Sequence, residues 1–255
     1  MKATFGATKG ALPPLVLGVV TLLLWQLAVM VLEIKPFVLP SPTAIGGQFF
    51  ENLPTVWSNS VVTGFNSLVG LFIGTVLGIL LAVIASLVRT IDELSSAVVA
   101  AAMVLPIVAL APVLYGMFSA SQQTARQLVA SLAVFVPVYV NTLKGLRQVR
   151  PVHRDLMKAH AATTWQTIGV VTLPTALPFI FTGVRIASSL AVIAAVIAEY
   201  FGGPIGGLGK SITTAAAGSN YPLAWAYVLG SIILGLVFYL AVLAIERWVL
   251  RNRAS

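Results

Sequence analysis

Six stretches of the chain, at 12–32, 61–88, 97–118, 128–143, 176–198 and 224–245, are nearly uninterrupted runs of apolar residues. About 20 such residues suffice for a helix to cross a bilayer, and only the 128–143 run is clearly short of that. Of the 255 residues, 58% are apolar and 9% charged, whereas a soluble domain carries about 25% charged residues. The pattern predicts an all-α polytopic membrane protein, folded as one unit over 1–255 with about six transmembrane helices. Lys2 and Lys9 precede the first run as they would in a signal peptide. Its apolar stretch is too long, and no small-x-small cleavage site follows, so it reads as the first spanning helix.

The formal charge of +8 raises the possibility of a nucleic-acid partner, but lysine and arginine placement explains it more simply. With the N-terminus inside, the cytoplasmic segments hold Lys2, Lys9, Arg89, Lys144, Arg147, Arg150, Arg154, Lys158, Arg247, Arg251 and Arg253. The outer segments hold Lys35, Arg126 and Lys210, with Arg185 inside a span. That asymmetry is the positive-inside bias. It predicts cytoplasmic N- and C-termini, outer segments at 33–60 and 202–222, and no need for nucleic acid.

The longest cytoplasmic connection runs from Lys144 to about Leu173. It contains AHAATTWQTIGVVTLPTALPFIFTGVRI at 159–186, polar and small in its first half. Asp155 to Ala162 are good helix formers, Thr163-Thr164 interrupts, and 165–171 resumes. Leu173-Pro174 and Leu177-Pro178 are expected to break the run where it enters the membrane.

At these residues the chain resembles ABC importer permeases. Asp155, Ala161 and 171–174 (VTLP) fall at the spacing of their EAA loop, E-A-A-x3-G-x9-I-x-L-P. LPTALPFIFTGVRIA after the loop, FVLPSPTAI at 37–45, VFVPVYVNTLKGL at 134–146 and AEYFGGPIGGLG at 198–209 are similar to the aliphatic sulfonate, taurine, nitrate and thiamine-precursor permease branch. Asp155 stands for the usual Glu, Leu156 and Met157 for two alanines, and Ala161 for the usual Gly. Because alanine lacks glycine's access to left-handed backbone angles, the turn is expected to be shaped differently.

The resemblance implies a type I importer permease that moves a small solute by alternating access. It implies a second permease copy, most simply a homodimer, and ABC ATPase subunits that carry the ATP and Mg, with none on this chain. It also implies an external substrate-binding protein and a place in the bacterial inner membrane. Within 146–174, a coupling helix at 155–163 would seat on the ATPase through Asp155, Lys158, Ala159, Ala161 and Ala162, with Arg154 at the rim. Leu173 and Pro174 would fix its angle to the next span. A solvated connector is the plainer reading of the loop; the matching segments elsewhere weigh against it. The cargo is a small organic anion or a nitrogen heterocycle such as a vitamin precursor, and AEYFGGPIGGLG leans to the latter.

Other features point less far. GGPIGGLGKS at 202–211 mimics a phosphate-binding loop, but Pro204 occupies the first glycine position and no strand precedes it. It reads as a Gly-rich outer loop, open to a re-entrant path. Glu199 ends the fifth span, where a bilayer-interface position is the simpler reading and an outer gate or docking contact the functional one. Arg185, with Ser188 and Ser189, lies about two helical turns past Pro178 and faces protein or a water-filled cavity, because a lipid-facing charge is costly. Both serines also suit helix packing. Without cysteine there is no disulfide or thiolate site, and His153 and His160 do not make a metal centre. No paired intramembrane carboxylates or nucleophile–base set suggests an enzyme. A small ion-coupled secondary transporter is the competing reading, although interrupted helices are conspicuous in one half only.

Overall fold

A computed structural model describes residues 7–118, 122–202 and 206–251. Lys2, Arg253 and Pro204 lie outside the described residues. The described chain is helical throughout: α1 (Ala7–Val31), α2 (Pro42–Glu51), α3 (Leu53–Leu87), α4 (Arg89–Val104), α5 (Ile107–Phe118), α6 (Thr124–Leu146), α7 (Pro151–Ala159), α8 (Thr164–Thr167), a π-helical turn (Ile168–Thr172), α9 (Leu173–Phe201), α10 (Leu208–Ala217) and α11 (Tyr221–Arg251).

Helices α3, α6 and α9 form the centre, and small residues let them approach. On α3, Gly70, Gly74 and Gly78 recur every fourth residue and face α6. A Cβ at Gly70 would collide with Ala130, and one at Gly78 would come within 3.0 Å of the Phe135 carbonyl and 3.1 Å of the Tyr139 amide. Lipid offers helices no hydrophobic reward for associating, so such close backbone packing supplies the attraction. Ala130, Ala133, Ala194, Ala195 and Ala198 continue the same small-residue seam between α6 and α9. Larger apolar side chains point outward, as Leu15, Leu23, Phe72 and Leu236 do. That is the reverse of a soluble protein and suits a lipid surround.

Five helices among the described residues are long and apolar enough to cross a membrane, and the α4–α5 pair makes a sixth when counted as one span. The span expected at 97–118 is instead shared by two helices, α4 and α5, bent by 105°. Leu105 is extended (φ −62°, ψ 124°) because the residue before a proline, here Pro106, is pushed out of helical geometry. The second span starts earlier than its apolar run: α3 has 35 residues, about 50 Å of helix against a hydrocarbon core of about 30 Å. The segments expected on the outer side, 33–60 and 202–222, therefore contain α2, the first turns of α3, and α10.

The prolines at 174 and 178 do not break the fifth span, which runs helically from Thr164 to Phe201. Pro174 sits in the first turn of α9. Just before it the ladder widens, and the Leu173 N–H donates to the Ile168 carbonyl, an i→i−5 bond. Side-chain hydroxyls shore up the same stretch: Thr175 donates to the Val171 carbonyl at 2.7 Å, and Thr182 to that of Pro178 at 2.8 Å. A π turn is a common way to accommodate local strain without ending a helix.

Helix α11 packs on α9, α10 and α2, while α1 stands at the periphery. The latter is held by an edge-on contact between Trp25 and Trp225, centroids 5.9 Å apart. Gln26 adds to this by accepting from the Thr43 amide and hydroxyl at 3.2 and 3.3 Å.

Candidate functional site

Two constellations stand about 40 Å apart at opposite ends of α9, judged by helical rise. The first is the lysine- and arginine-rich loop between α6 and α9. Pro151, at the first position of α7, needs no partner for its absent N–H. The helix ends after nine residues in a Schellman motif: the Ala161 N–H donates to the Lys158 carbonyl and the Ala162 N–H to that of Met157, both at 2.9 Å. Ala161 takes the left-handed position itself, with φ of 49°. Alanine thus adopts the left-handed geometry that it was expected to reach less readily than glycine. Two satisfied carbonyls hold the left-handed geometry with alanine in it, at a local strain of roughly 1–2 kcal/mol.

Thr163 then caps α8, accepting from the Gln166 N–H at 3.3 Å while its own N–H donates to Gln166 Oε1 at 2.8 Å. This reciprocal box fixes the restart of the chain. The result is a well-specified surface with its apolar groups uncovered. Val152 and Leu156, one turn apart on α7, are exposed, Leu156 by 55%, and Trp165 is exposed by 78%. None of the residues of α7 or α8 is buried.

Asp155 and Lys158 pair at 3.6 Å, both largely exposed, so the pair adds little stability. Ala159 ends α7, whereas Ala161 and Ala162 form the turn rather than a helical face. The helix begins four residues earlier than the 155–163 segment expected from the sequence. Leu173 and Pro174 lie in the continuous helix immediately after the π turn.

The second constellation is buried. Glu199 has no exposed surface, so it meets protein groups and not water or lipid headgroups, whatever its depth relative to the bilayer interface. Its carboxylate accepts from the Thr63 hydroxyl at 2.8 Å, the Gly209 N–H at 3.1 Å and Asn66 Nδ2 at 3.4 Å. The Thr63 hydroxyl also accepts from the Leu208 N–H at 2.9 Å, and Asn59 Oδ1 accepts from the Gly207 N–H at 2.9 Å. Three successive amides at the start of α10 are thus met by α3 and α9. A carboxylate at a helix N-terminus is favoured by the dipole as well as by the bonds.

Asn66 also donates to Gln123 Oε1 at 3.0 Å. Arg126, buried within α6, donates to that oxygen at 3.0 Å, to the Tyr115 hydroxyl at 3.2 Å and to the Gly206 carbonyl at 3.3 Å. Tyr115 in turn donates to the Ala198 carbonyl at 3.1 Å. The charge pattern assigns Arg126 to an outer loop and gives no hint of this network. A lone arginine at the head of a weak apolar run was the one available signal.

The GGLG sequence is explained by the same contacts. Gly207 has φ of 102°, and a Cβ on Gly209 would overlap the Val196 carbonyl and come within 2.8 Å of Glu199 Cβ. The amides that resemble a phosphate cradle are already occupied by the protein's own side chains.

The remaining candidates are not drawn into either constellation. Arg185 donates to Glu246 Oε2 at 3.1 Å, tying α9 to α11 with both side chains mostly buried. Of the two surroundings expected for Arg185, protein or a water-filled cavity, the first is seen beside it as Glu246, a partner that was not foreseen. Ser188 is buried and donates to the Arg185 carbonyl at 2.7 Å, a packing role. Ser189 lines an apolar groove of about 480 Å³ between α9 and α11. Among the described residues, no group of His, Asp or Glu is placed to hold a metal ion.

A helical bundle with a bent span, a specified loop at its basic end and a buried clasp at the other defines a polytopic membrane protein. Residues 74–251 match the binding-protein-dependent transport system inner membrane component family. The chain belongs to that family and is the permease subunit of an ABC importer. It is 30% identical over 236 residues to the riboflavin transport system permease protein RibX of Chloroflexus aurantiacus, covering 92% of this chain and 87% of that one. The formylaminopyrimidine transport permease protein ThiX of Halalkalibacterium halodurans is 29% identical, covering 75% and 76%. This chain shares its fold with a solved amino acid ABC transporter chain, with a TM-score of 0.65, 15% identity and coverage of 78% of this chain and 95% of that one. Family membership sets aside the ion-coupled secondary carrier.

Proposed function

We propose that this permease imports a small nitrogen heterocycle of the vitamin-precursor kind, received from an external binding protein. Two copies would enclose the path and open alternately to each side. They would be driven by separate ATPase subunits that bind the ATP and Mg. In this reading the basic end of the bundle, with both termini, faces the cytosol of a bacterial cell and the Glu199 end faces outward. Relatives named for riboflavin and formylaminopyrimidine are 30% and 29% identical, against 25% and 28% for those named for aliphatic sulfonates and taurine, and this order supports the heterocycle class.

The observation that carries the coupling role is the loop itself. A protein interior would bury Leu156 and Trp165, and a floppy connector would not need a Schellman turn joined to a capping box. Exposed apolar anchors on a locally rigid frame suit a docking surface that transmits a push. Here α7 would seat on the ATPase with the small Ala159, Ala161 and Ala162 at closest approach.

The test is reconstitution with the ATPase and the loaded binding protein. The purified chain alone should show negligible ATP hydrolysis, and the complete assembly should concentrate substrate. Ala161→Glu should insert normally yet abolish uptake, because a packed contact tolerates neither the added volume nor an unpaired charge. Unaltered uptake by that variant, with no cross-linking from Ala161→Cys across a scan of the ATPase groove, would return the loop to a solvated connector.

A further inference from the structure

A cavity of about 470 Å³ opens between the end of α3, the end of α6 and the loop that follows. It is large enough for a small-molecule headgroup. Its polar side carries Arg147, Arg154 and Lys158, and no acidic residue lines it. Two of these cations are already paired, Arg147 with Asp92 and Lys158 with Asp155. Arg154 has no ion pair or side-chain hydrogen bond among the described residues. Thr164 and Thr167 add hydroxyls to the same wall.

The opposite side is aliphatic, formed by Val83, Leu87, Ile168 and Leu173. It continues into an exposed apolar surface of α3. Leu77, Leu80, Ile84 and Leu87 are all exposed, and their spacing of three and four residues puts them on one helical face. An apolar track therefore runs along α3 and ends at three cations.

We propose that this cavity binds one anionic phospholipid. Its phosphate is held by Arg154 with Arg147 and Lys158 beside it, and an acyl chain lies along Leu87, Ile84 and Leu80. A basic pocket at the end of spanning helices is a recurrent headgroup site. Inorganic phosphate or an acidic segment of the ATPase would satisfy the cations but leave the aliphatic wall unmatched. A phospholipid satisfies both sides with one molecule.

The experiment measures lipid retention by native mass spectrometry on the delipidated full-length chain, alone and assembled with its ATPase. The probes are dioleoyl phosphatidylglycerol, dioleoyl phosphatidylcholine and inorganic phosphate. One phosphatidylglycerol should be retained per chain, about tenfold more tightly than phosphatidylcholine, whose phosphate is the same but whose choline ammonium is repelled by the three cations. Arg154→Gln should remove that preference, while Arg150→Gln, the same charge change outside the cavity lining, should keep it. Ser86→Trp, which narrows the cavity without touching its charges, should also weaken retention, with gel filtration and helical content confirming the fold. Equal losses for Arg154→Gln and Arg150→Gln would mean diffuse attraction and overturn the site. Displacement by millimolar phosphate would assign it to a free anion, and release of the lipid on assembly would assign it to the ATPase; either overturns the proposal.

Discussion

Replacing Ala161 by glycine is expected to stabilise the loop, although it removes a methyl group from a helix terminus. The residue sits at φ of 49°, where an L-residue with a Cβ is disfavoured by roughly 1–2 kcal/mol. Its side chain is exposed, so no packing is lost. Glycine gives back part of the gain through the freedom of the unfolded chain, about 0.4–1 kcal/mol. The balance favours glycine by about 1 kcal/mol, or roughly fivefold in a local opening equilibrium.

Because α7 buries none of its residues, this opening is local and separate from global unfolding. Hydrogen exchange at the amides of Ala161 and Ala162, which close the Schellman motif, reads it directly. In Ala161→Gly both should exchange about fivefold more slowly. Ala161→Val, with a branched Cβ in the same left-handed geometry, should make them faster. Unchanged or faster exchange in the glycine variant would show that the turn is not strained as described.

Glu199→Gln should undock the start of α10, since the amide brings donors toward Thr63, Asn66 and the Gly209 N–H. A loss of about 1–3 kcal/mol should appear as a lower melting midpoint in detergent and faster proteolysis near 206–220, and wild-type behaviour in both would remove the clasp role. Arg185→Gln and Glu246→Gln should each destabilise the α9–α11 contact, and the double variant should cost less than the sum. A double-mutant cycle should give a coupling of about 0.5–3 kcal/mol, with strict additivity counting against the pair.

Much of this architecture follows from local sequence alone. Long apolar runs can satisfy their backbone in lipid only by closing hydrogen bonds within each segment, so helix number and the position of the basic loop were legible without tertiary knowledge. The turn between α7 and α8 was legible too, because Thr163 and Gln166 cap it through contacts three residues apart. Boundaries were less so. Apolar content does not say where a helix stops once it leaves lipid, which is why α3 begins at Leu53 rather than at 61.

The bend at Leu105-Pro106 and the unbroken passage through Pro174 show the opposite limit. Both are prolines in apolar surroundings, and only the neighbouring helices and a π turn decide which one bends the chain. The buried clasp lay entirely beyond local reading. Thr63 and Glu199 are 136 residues apart, and burial of Arg126 depends on α5, α6 and the 206–209 segment arriving together. A charged side chain near the end of a span looks the same in sequence whether it meets water or a partner. Tertiary packing determined which, because it alone supplied the donors and acceptors that make burial of these charges tolerable.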